Sequence, residues 1–90
     1  MQPKSKIIIV DDHKMFLDGL RSILEPQPHL EIVMTAKNGQ NVEKYLNINA
    51  EEGIALVVMD LNMPEYDGAE LNRFIKKNHP QIKTLVVSML

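Results

Sequence analysis

The stretch VVMDLNMPEYDG, Val57 to Gly68, is apolar up to Asp60 and polar after it. Earlier in the chain IIIVDDHKM, which starts at Ile7, follows the same course and ends its apolar run on Asp11 and Asp12. Both apolar runs are rich in β-branched residues, which is typical of strands buried on both faces of a sheet. A carboxylate at the end of such a strand is unfavourable unless a ligand or partner uses it. The two stretches therefore predict strands that end at a functional site.

Four apolar runs along the chain predict four strands, with a helical pattern between each consecutive pair. The runs are Lys6–Val10, Leu30–Thr35, Ile54–Met59 and Ile82–Leu90. Strands that alternate with single helices are typical of right-handed βαβ units, and hence of a parallel sheet covered by helices. The predicted fold class is therefore α/β, with a doubly wound parallel sheet in three layers.

The helices are predicted from apolar residues that recur at helical spacing. The first runs from about His13 to Glu25, because prolines follow it directly. A weaker helical pattern follows Asn38-Gly39, which is predicted as a turn. The third helix begins at the sequence DGAE, Asp67–Glu70, which resembles a capping box, and ends near Asn78 because a proline follows.

The predicted topology explains why the acids end their strands. In a sheet of order 2-1-3-4 the first and third strands are parallel neighbours, and their carboxyl ends meet at the switch point where ligands bind. Asp11 and Asp12 are expected on one side of this point and Asp60 on the other. Three close carboxylates repel each other, and a hard divalent cation such as Mg²⁺ relieves that repulsion. Alternatively Asp12 only caps a helix and Asp60 only begins a loop, but acids at two paired strand ends favour a site.

A carboxylate beside a divalent cation is suited to phosphoryl transfer. Asp60 stands alone at its strand end and is the predicted nucleophile, which would become an aspartyl phosphate. A metal ion in the acid pocket would offset the negative charge of the incoming phosphoryl group.

Several residues together resemble the receiver domain of two-component response regulators. They are the pair Asp11-Asp12, Asp60, Met63-Pro64, Gly68 and Ser88. The similarity spans the whole chain, and the DDH and FLDGLRSIL sequences are similar to the NarL/LuxR type. The resemblance to the receiver domain implies a flavodoxin-like (CheY-like) sheet of order 2-1-3-4 that lacks the family's fifth strand and last helices. Residues 1–90 are accordingly expected to form a receiver domain truncated at its carboxyl end.

The resemblance also implies a role for each matching residue. Asp60 would accept a phosphoryl group from a sensor histidine kinase. Asp12, Asp60 and the backbone carbonyl of Asn62 would bind Mg²⁺, and Asp11 would assist through water. Ser88 would contact a phosphoryl oxygen. The residues that would shape the loop after the acceptor are Met63, Pro64 and Gly68.

One residue of the family pattern is missing from this chain. Members have a lysine after their fifth strand that pairs with the phosphoacceptor, and the chain ends before such a strand. Lys83 is expected at the wrong end of the fourth strand to replace it. The resemblance therefore implies weak or no stable phosphorylation of the 90-residue chain itself.

Composition limits the possible partners. The net charge of −2 and the pI near 5.9 give this chain no electrostatic footprint for nucleic acid. The NarL/LuxR resemblance implies that DNA would be bound by an output domain that is not among these residues. The chain has no cysteine, and its apolar runs are too short for a signal peptide or a membrane span. A cytoplasmic protein is expected. The fourth strand is expected at the sheet edge, where it would support a homodimer or other self-association.

Two other functions are open at this point. The first is a phosphatase of the haloacid-dehalogenase type, but that family needs Asp-x-Asp on its first strand, so the chain is not expected to be an enzyme. The second is a receiver-like module that binds proteins without phosphorylation. His13 is predicted to face solvent without a catalytic role, and His29 and His79 are predicted on the surface.

Overall fold

A computed structural model describes residues 4–49, 51–60 and 68–87. Strands and helices alternate along it in the predicted order. The strands are β1 (Ser5–Val10), β2 (Leu30–Ala36), β3 (Ile54–Asp60) and β4 (Lys83–Val87). The helices are α1 (Lys14–Leu24), α2 (Gly39–Ile48) and α3 (Gly68–Asn78). Asp67 and residues 88–90, which the sequence assigned to a helix cap and to the end of the last strand, lie outside the described residues.

The four strands form one parallel sheet in the order β2-β1-β3-β4, which confirms the predicted topology. Val10, the last residue of β1, pairs with Ala36 of β2 on one side and with Met59 of β3 on the other. The carboxyl ends of β1 and β3 therefore lie side by side, as the doubly wound connection requires.

The core has two parts, one on each face of the sheet. The larger lies under α2 and α3 and includes Ile8, Val57 and Ile75. The smaller lies under α1 and is built on Ile9 and Leu17. Helices on both faces make the three predicted layers and explain why the central strands are apolar without interruption.

Two local predictions were wrong. Asn38-Gly39 is the start of a helix and not a separate turn, because the Asn38 side chain accepts a hydrogen bond from the Asn41 backbone N–H at 2.9 Å and caps α2. His79 was predicted on the surface, yet it is buried just after α3. Its backbone N–H donates to the Ile75 carbonyl at 2.7 Å, which continues the helical path, and its ring packs beside the Phe74 ring with the centroids 5.7 Å apart.

The edge strand β4 is less covered than the two central strands. Leu85 and Val86 expose 53% and 41% of their surface. On its inner side β4 pairs with β3, and the Thr84 hydroxyl donates to the Asn72 side chain of α3 at 2.8 Å. In the part of the chain that the structure describes, no helix is long and apolar enough to cross a membrane.

Candidate functional site

The structure brings the acids of the two strand ends together. Asp60 is the last residue of β3, and Asp11 directly follows β1 on the neighbouring strand. Asp11 and Asp60 are 1% and 2% exposed, and Asp12 is partly exposed beside them. One ligand atom from each of these residues and from His13 lies within 4.8 Å of all the others. We call these four residues the acid cluster.

Backbone and side-chain hydrogen bonds hold Asp11 in place. Its backbone N–H donates to the Ala36 carbonyl at 3.0 Å, which extends the β1–β2 pairing by one residue. Its Oδ1 accepts from the His13 backbone N–H at 2.7 Å and lies 2.9 Å from the His13 Nδ1. Its Oδ2 is buried and has no hydrogen-bond partner among the described residues. A buried carboxylate oxygen without a partner is costly, so this atom is suited to a cation.

The prediction for His13 was incomplete. About half of its side chain is exposed, yet its Nδ1 points into the acid cluster, 3.1 Å from the Asp12 Oδ1 and 3.5 Å from the Asp60 Oδ2. The hydrogen bond to Asp11, followed by the negative charge of Asp12, raises the pKa of the imidazole above its ordinary value. Sequence reasoning missed this residue as a member of the site.

The backbone at the start of α1 explains the position of His13. The residue before the helix is His13 itself, in an extended conformation with φ −93° and ψ 105°, and it makes no side-chain cap bond. Because His13 is extended between Asp12 and the first helical turn, its ring points back toward the end of β1. The interpretation of Asp12 as a mere helix cap is not supported, because it does not occupy the cap position.

Most of the remaining predicted site residues are not among those that the structure describes. Asn62, Met63, Pro64 and Ser88 lie outside the described residues. Gly68 is the buried first residue of α3.

Lys83 lies at the end of β4 away from the acid cluster. In the β3–β4 register Lys83 pairs with Leu56, whereas Asp60 pairs with Val87 at the opposite end. Its side chain is exposed there. Lys83 therefore lies at the end of β4 opposite to Asp60, as the sequence predicted.

The acid cluster fits a divalent cation. Asp11, Asp12 and Asp60 offer carboxylate oxygens from both sides of the switch point, and the buried Oδ2 of Asp11 has no described partner. Hard cations prefer such oxygen ligands, and Mg²⁺ is commonly held by one or two carboxylates together with waters and phosphate oxygens.

The chain matches a family of known proteins. A model of the response regulator receiver domain matches residues 7–90, which contain the whole sheet from Ile7 onward and the acid cluster. The chain belongs to this family. The receiver domain is a module of two-component signalling, and its fold is the CheY-like sheet described above.

Similar proteins carry this receiver domain within longer chains. The transcriptional regulatory protein DegU of Brevibacillus brevis is 37% identical over 96% of this chain, which spans 35% of DegU. A protein-glutamate methylesterase/protein-glutamine glutaminase of Carboxydothermus hydrogenoformans is 36% identical over 97% of this chain, which spans 23% of that protein. The chain thus spans about a third or less of both relatives.

A solved structure supports the same fold. The LuxR-family two-component response regulator from Aurantimonas sp. superposes with a TM-score of 0.84 at 26% sequence identity. The superposition covers 97% of this chain and 60% of that one. The four strands and three helices are therefore those of a receiver domain.

Proposed function

We propose that residues 1–90 are the receiver domain of a response regulator and that Asp60 is its phosphoacceptor. The observation that carries the proposal is the buried carboxylate at the end of β3, which faces the acid pair of β1 across the switch point. Membership of the receiver family makes phosphoryl transfer the chemistry that this geometry favours. The phosphodonor is a sensor histidine kinase.

Asp60 acts as the nucleophile. One of its carboxylate oxygens forms a bond to phosphorus while the bond between phosphorus and the donor atom breaks, and the donor leaves with that electron pair. The product is a mixed anhydride on a strand end that is fixed by its pairing with Val87 of β4. Because β3 is central in the sheet, the acceptor is held rigidly relative to Asp11 and Asp12.

The acid cluster holds the cation that this chemistry uses. Asp12 and Asp60 would supply carboxylate oxygens, the Asn62 backbone carbonyl would supply a third ligand, and Asp11 would assist through water. When bound, Mg²⁺ offsets the negative charge of the phosphoryl oxygens. Ser88 contacts a phosphoryl oxygen, and the loop after the acceptor is shaped by Met63, Pro64 and Gly68.

The outer side of α1 offers a surface to the phosphodonor. Met15 follows His13 by two residues and is 89% exposed, and Ile23 on the same helix is 64% exposed. Apolar side chains exposed this far on a small domain are suited to contact with a partner protein. We place the kinase on this side of α1, next to the acid cluster.

The output of the whole protein depends on what accompanies the receiver. DegU is named a transcriptional regulatory protein, and this supports DNA binding by a further domain as the output. The methylesterase carries a similar receiver, so the output domain differs among relatives. For the present chain we favour the regulator of transcription, a cytoplasmic location and no catalytic activity of its own.

The assignment of Asp60 is tested by covalent labelling. The whole response regulator that contains this receiver, incubated with Mg²⁺ and acetyl phosphate, should gain one phosphoryl group on the peptide that contains Asp60. The Asp60→Asn variant should gain none, because it lacks the nucleophilic oxygen. Asp18→Asn is the matched control, since Asp18 is an exposed acid on α1 that faces solvent. Intact-protein mass spectrometry measures the gain.

Labelling that persists in Asp60→Asn would overturn the assignment. If neither small phosphodonors nor kinases label the wild-type protein, the result would favour the alternative function, a receiver-like module that binds proteins without phosphorylation. The 90-residue chain itself is expected to label weakly, because the family's lysine is not among its residues.

A further inference from the structure

His13 gives the acid cluster a donor that an oxygen-only magnesium site does not have. Its Nδ1 is the one nitrogen in the group of four ligand atoms that the described residues bring together. The ring is not a chance neighbour, because its backbone N–H also donates to Asp11, the buried acid of the cluster. Two hydrogen bonds to one carboxylate oxygen fix both the backbone and the ring of His13.

The spacing of the donor atoms is that of ligands around one small cation. With metal–ligand bonds of about 2.0–2.1 Å, adjacent ligands of an octahedron or tetrahedron lie about 2.8–3.4 Å apart. The His13 Nδ1 lies 2.9 Å from Asp11 Oδ1, 3.1 Å from Asp12 Oδ1 and 3.5 Å from Asp60 Oδ2. The imidazole nitrogen therefore already stands at the spacing of an adjacent ligand relative to Asp11 and Asp12, and only slightly beyond it relative to Asp60.

A second observation points independently to a cation. The Asp11 Oδ2 is buried, and no described residue donates a hydrogen bond to it. The carboxylate that binds His13 through one oxygen thus has a second oxygen that is buried without a donor.

We propose that His13 is a metal ligand and that it makes the acid cluster prefer a borderline transition ion of the Ni²⁺, Cu²⁺ and Zn²⁺ class over Mg²⁺. Imidazole is a good ligand for these ions, whereas Mg²⁺ takes oxygen ligands and gains little from a nitrogen. For Mg²⁺, His13 remains a hydrogen-bonding neighbour of Asp11. For a transition ion, the Nδ1 proton is released, so that the ring stays neutral with its proton on Nε2 and the Nδ1 lone pair binds the metal in place of the hydrogen bond to Asp11.

This inference rests on the acid site of the proposed function, but it does not depend on phosphoryl transfer. It predicts that removing the imidazole lowers the affinity for a transition ion more than the affinity for Mg²⁺. An acid cluster that attracts cations by charge alone would not distinguish the two ions in this way. An all-oxygen site also favours Ni²⁺ over Mg²⁺ to some extent. The diagnostic quantity is therefore how much of the Ni²⁺ affinity is lost with the imidazole, compared with the loss for Mg²⁺.

Calorimetric titration of the 90-residue chain with Mg²⁺ and with Ni²⁺ at one fixed pH measures both affinities. We expect His13→Asn to lower the Ni²⁺ affinity by about tenfold or more, since it removes the nitrogen ligand. The Mg²⁺ affinity should not fall, because the carboxylates are unchanged and a partial positive charge that competes with the cation is removed. His29→Asn is the matched control, because His29 is exposed at the amino end of β2, away from the acids.

A direct readout covers the case in which a variant misfolds. Pulsed electron paramagnetic resonance of Cu²⁺ bound to wild-type protein should show coupling to an imidazole nitrogen, and the coupling should vanish in His13→Asn. No nitrogen coupling in wild type would overturn the proposal. Equal losses of Mg²⁺ and Ni²⁺ affinity, or loss of Ni²⁺ binding in His29→Asn instead, would overturn it as well.

The two proposals fail in different ways. If Asp60 is never phosphorylated but the Ni²⁺ affinity depends on His13, the proposed function fails and the metal preference stands. If Asp60 is phosphorylated and His13→Asn leaves the Ni²⁺ affinity unchanged, only the metal preference fails. Wild-type protein that binds neither ion removes the site on which both proposals depend.

Discussion

At the scale of single residues, the acid cluster shows how neighbouring side chains change each other's chemistry. Asp11 is buried at a strand end, where an isolated negative charge is unfavourable. His13 supplies two donors to one of its oxygens, and the acids in turn raise the pKa of the imidazole. The cluster therefore contains a partial counter-charge of its own before any cation binds.

A second residue-scale feature lies at the opposite end of the sheet. The Tyr45 hydroxyl donates to the Glu52 side chain at 2.5 Å, and this hydrogen bond raises the pKa of Tyr45 to about 12. Lys6 of β1 donates to the Glu52 backbone carbonyl at 3.0 Å. Glu52, which precedes β3, therefore contacts both α2 and β1. The contact stabilises the folded state only while the tyrosine is protonated.

We predict a loss of stability at alkaline pH that depends on Tyr45. An unfolded tyrosine ionises near pH 10 and the folded Tyr45 near 12, so its contribution is complete below about pH 10 and is lost between about 10 and 12. Tyr45→Phe should lower the free energy of unfolding by about 1 kcal/mol at pH 8 and flatten this part of the profile. Urea unfolding from pH 8 to 12 tests this. A profile that is as steep in Tyr45→Phe as in wild type would contradict it.

At the scale of elements, the start of α2 depends on one side chain. Asn38 is extended, and its side chain accepts the Asn41 backbone N–H, so one donor of the first turn is satisfied. The helix begins on Gly39 and has no acidic residue in its first turn. Few other features of its sequence favour the amino end of α2, which makes the cap important for this helix.

We expect Asn38→Ala to lower the free energy of unfolding by about 1 kcal/mol, because it removes the cap bond. Asn38→Ser is the matched control and should lose much less, since serine also accepts from the first turn. Urea unfolding monitored by circular dichroism measures both variants. Equal losses for alanine and serine would mean that the cap bond contributes nothing measurable.

At the scale of the whole molecule, the sheet has unequal edges. The central strands β1 and β3 are buried, while β4 exposes Leu85 and Val86 at one edge. The outer backbone groups of β4 have no strand partner among the described residues. An exposed apolar edge strand is a template for pairing with another chain.

We predict that the 90-residue chain self-associates through β4, most simply as a two-fold dimer. Replacing Val86 by lysine should shift the chain toward monomer, because a charge on an edge strand opposes pairing. Ile48→Lys is the matched control, since Ile48 is 81% exposed on α2 and away from that edge. Light scattering at micromolar concentration measures the mass. A wild-type monomer, or equal effects of both lysines, would contradict the prediction.

The sequence alone determined the order of the elements and the place where the acids meet. The run of β-branched residues before Asp11 and the apolar run before Asp60 identify two buried parallel strands, and the doubly wound connection makes them neighbours. These features can be predicted from the sequence because a strand that is buried on both faces of a sheet is apolar without interruption. The family resemblance rested on the three acids together with Met63-Pro64, Gly68 and Ser88, and the matching family model confirms it.

Only the tertiary structure decided where single polar side chains point. Three polar residues flank the ends of helices, namely His13, His79 and Asn38. At such positions the local backbone conformation decides whether a side chain points inward or outward. A local pattern does not specify that conformation, because it depends on packing and hydrogen bonds between segments distant in sequence. His13 turns into the acid cluster because Asp60 and Asp11 are brought together by the pairing of β1 with β3. The sequence therefore specified the acids of the site, and the fold added the histidine.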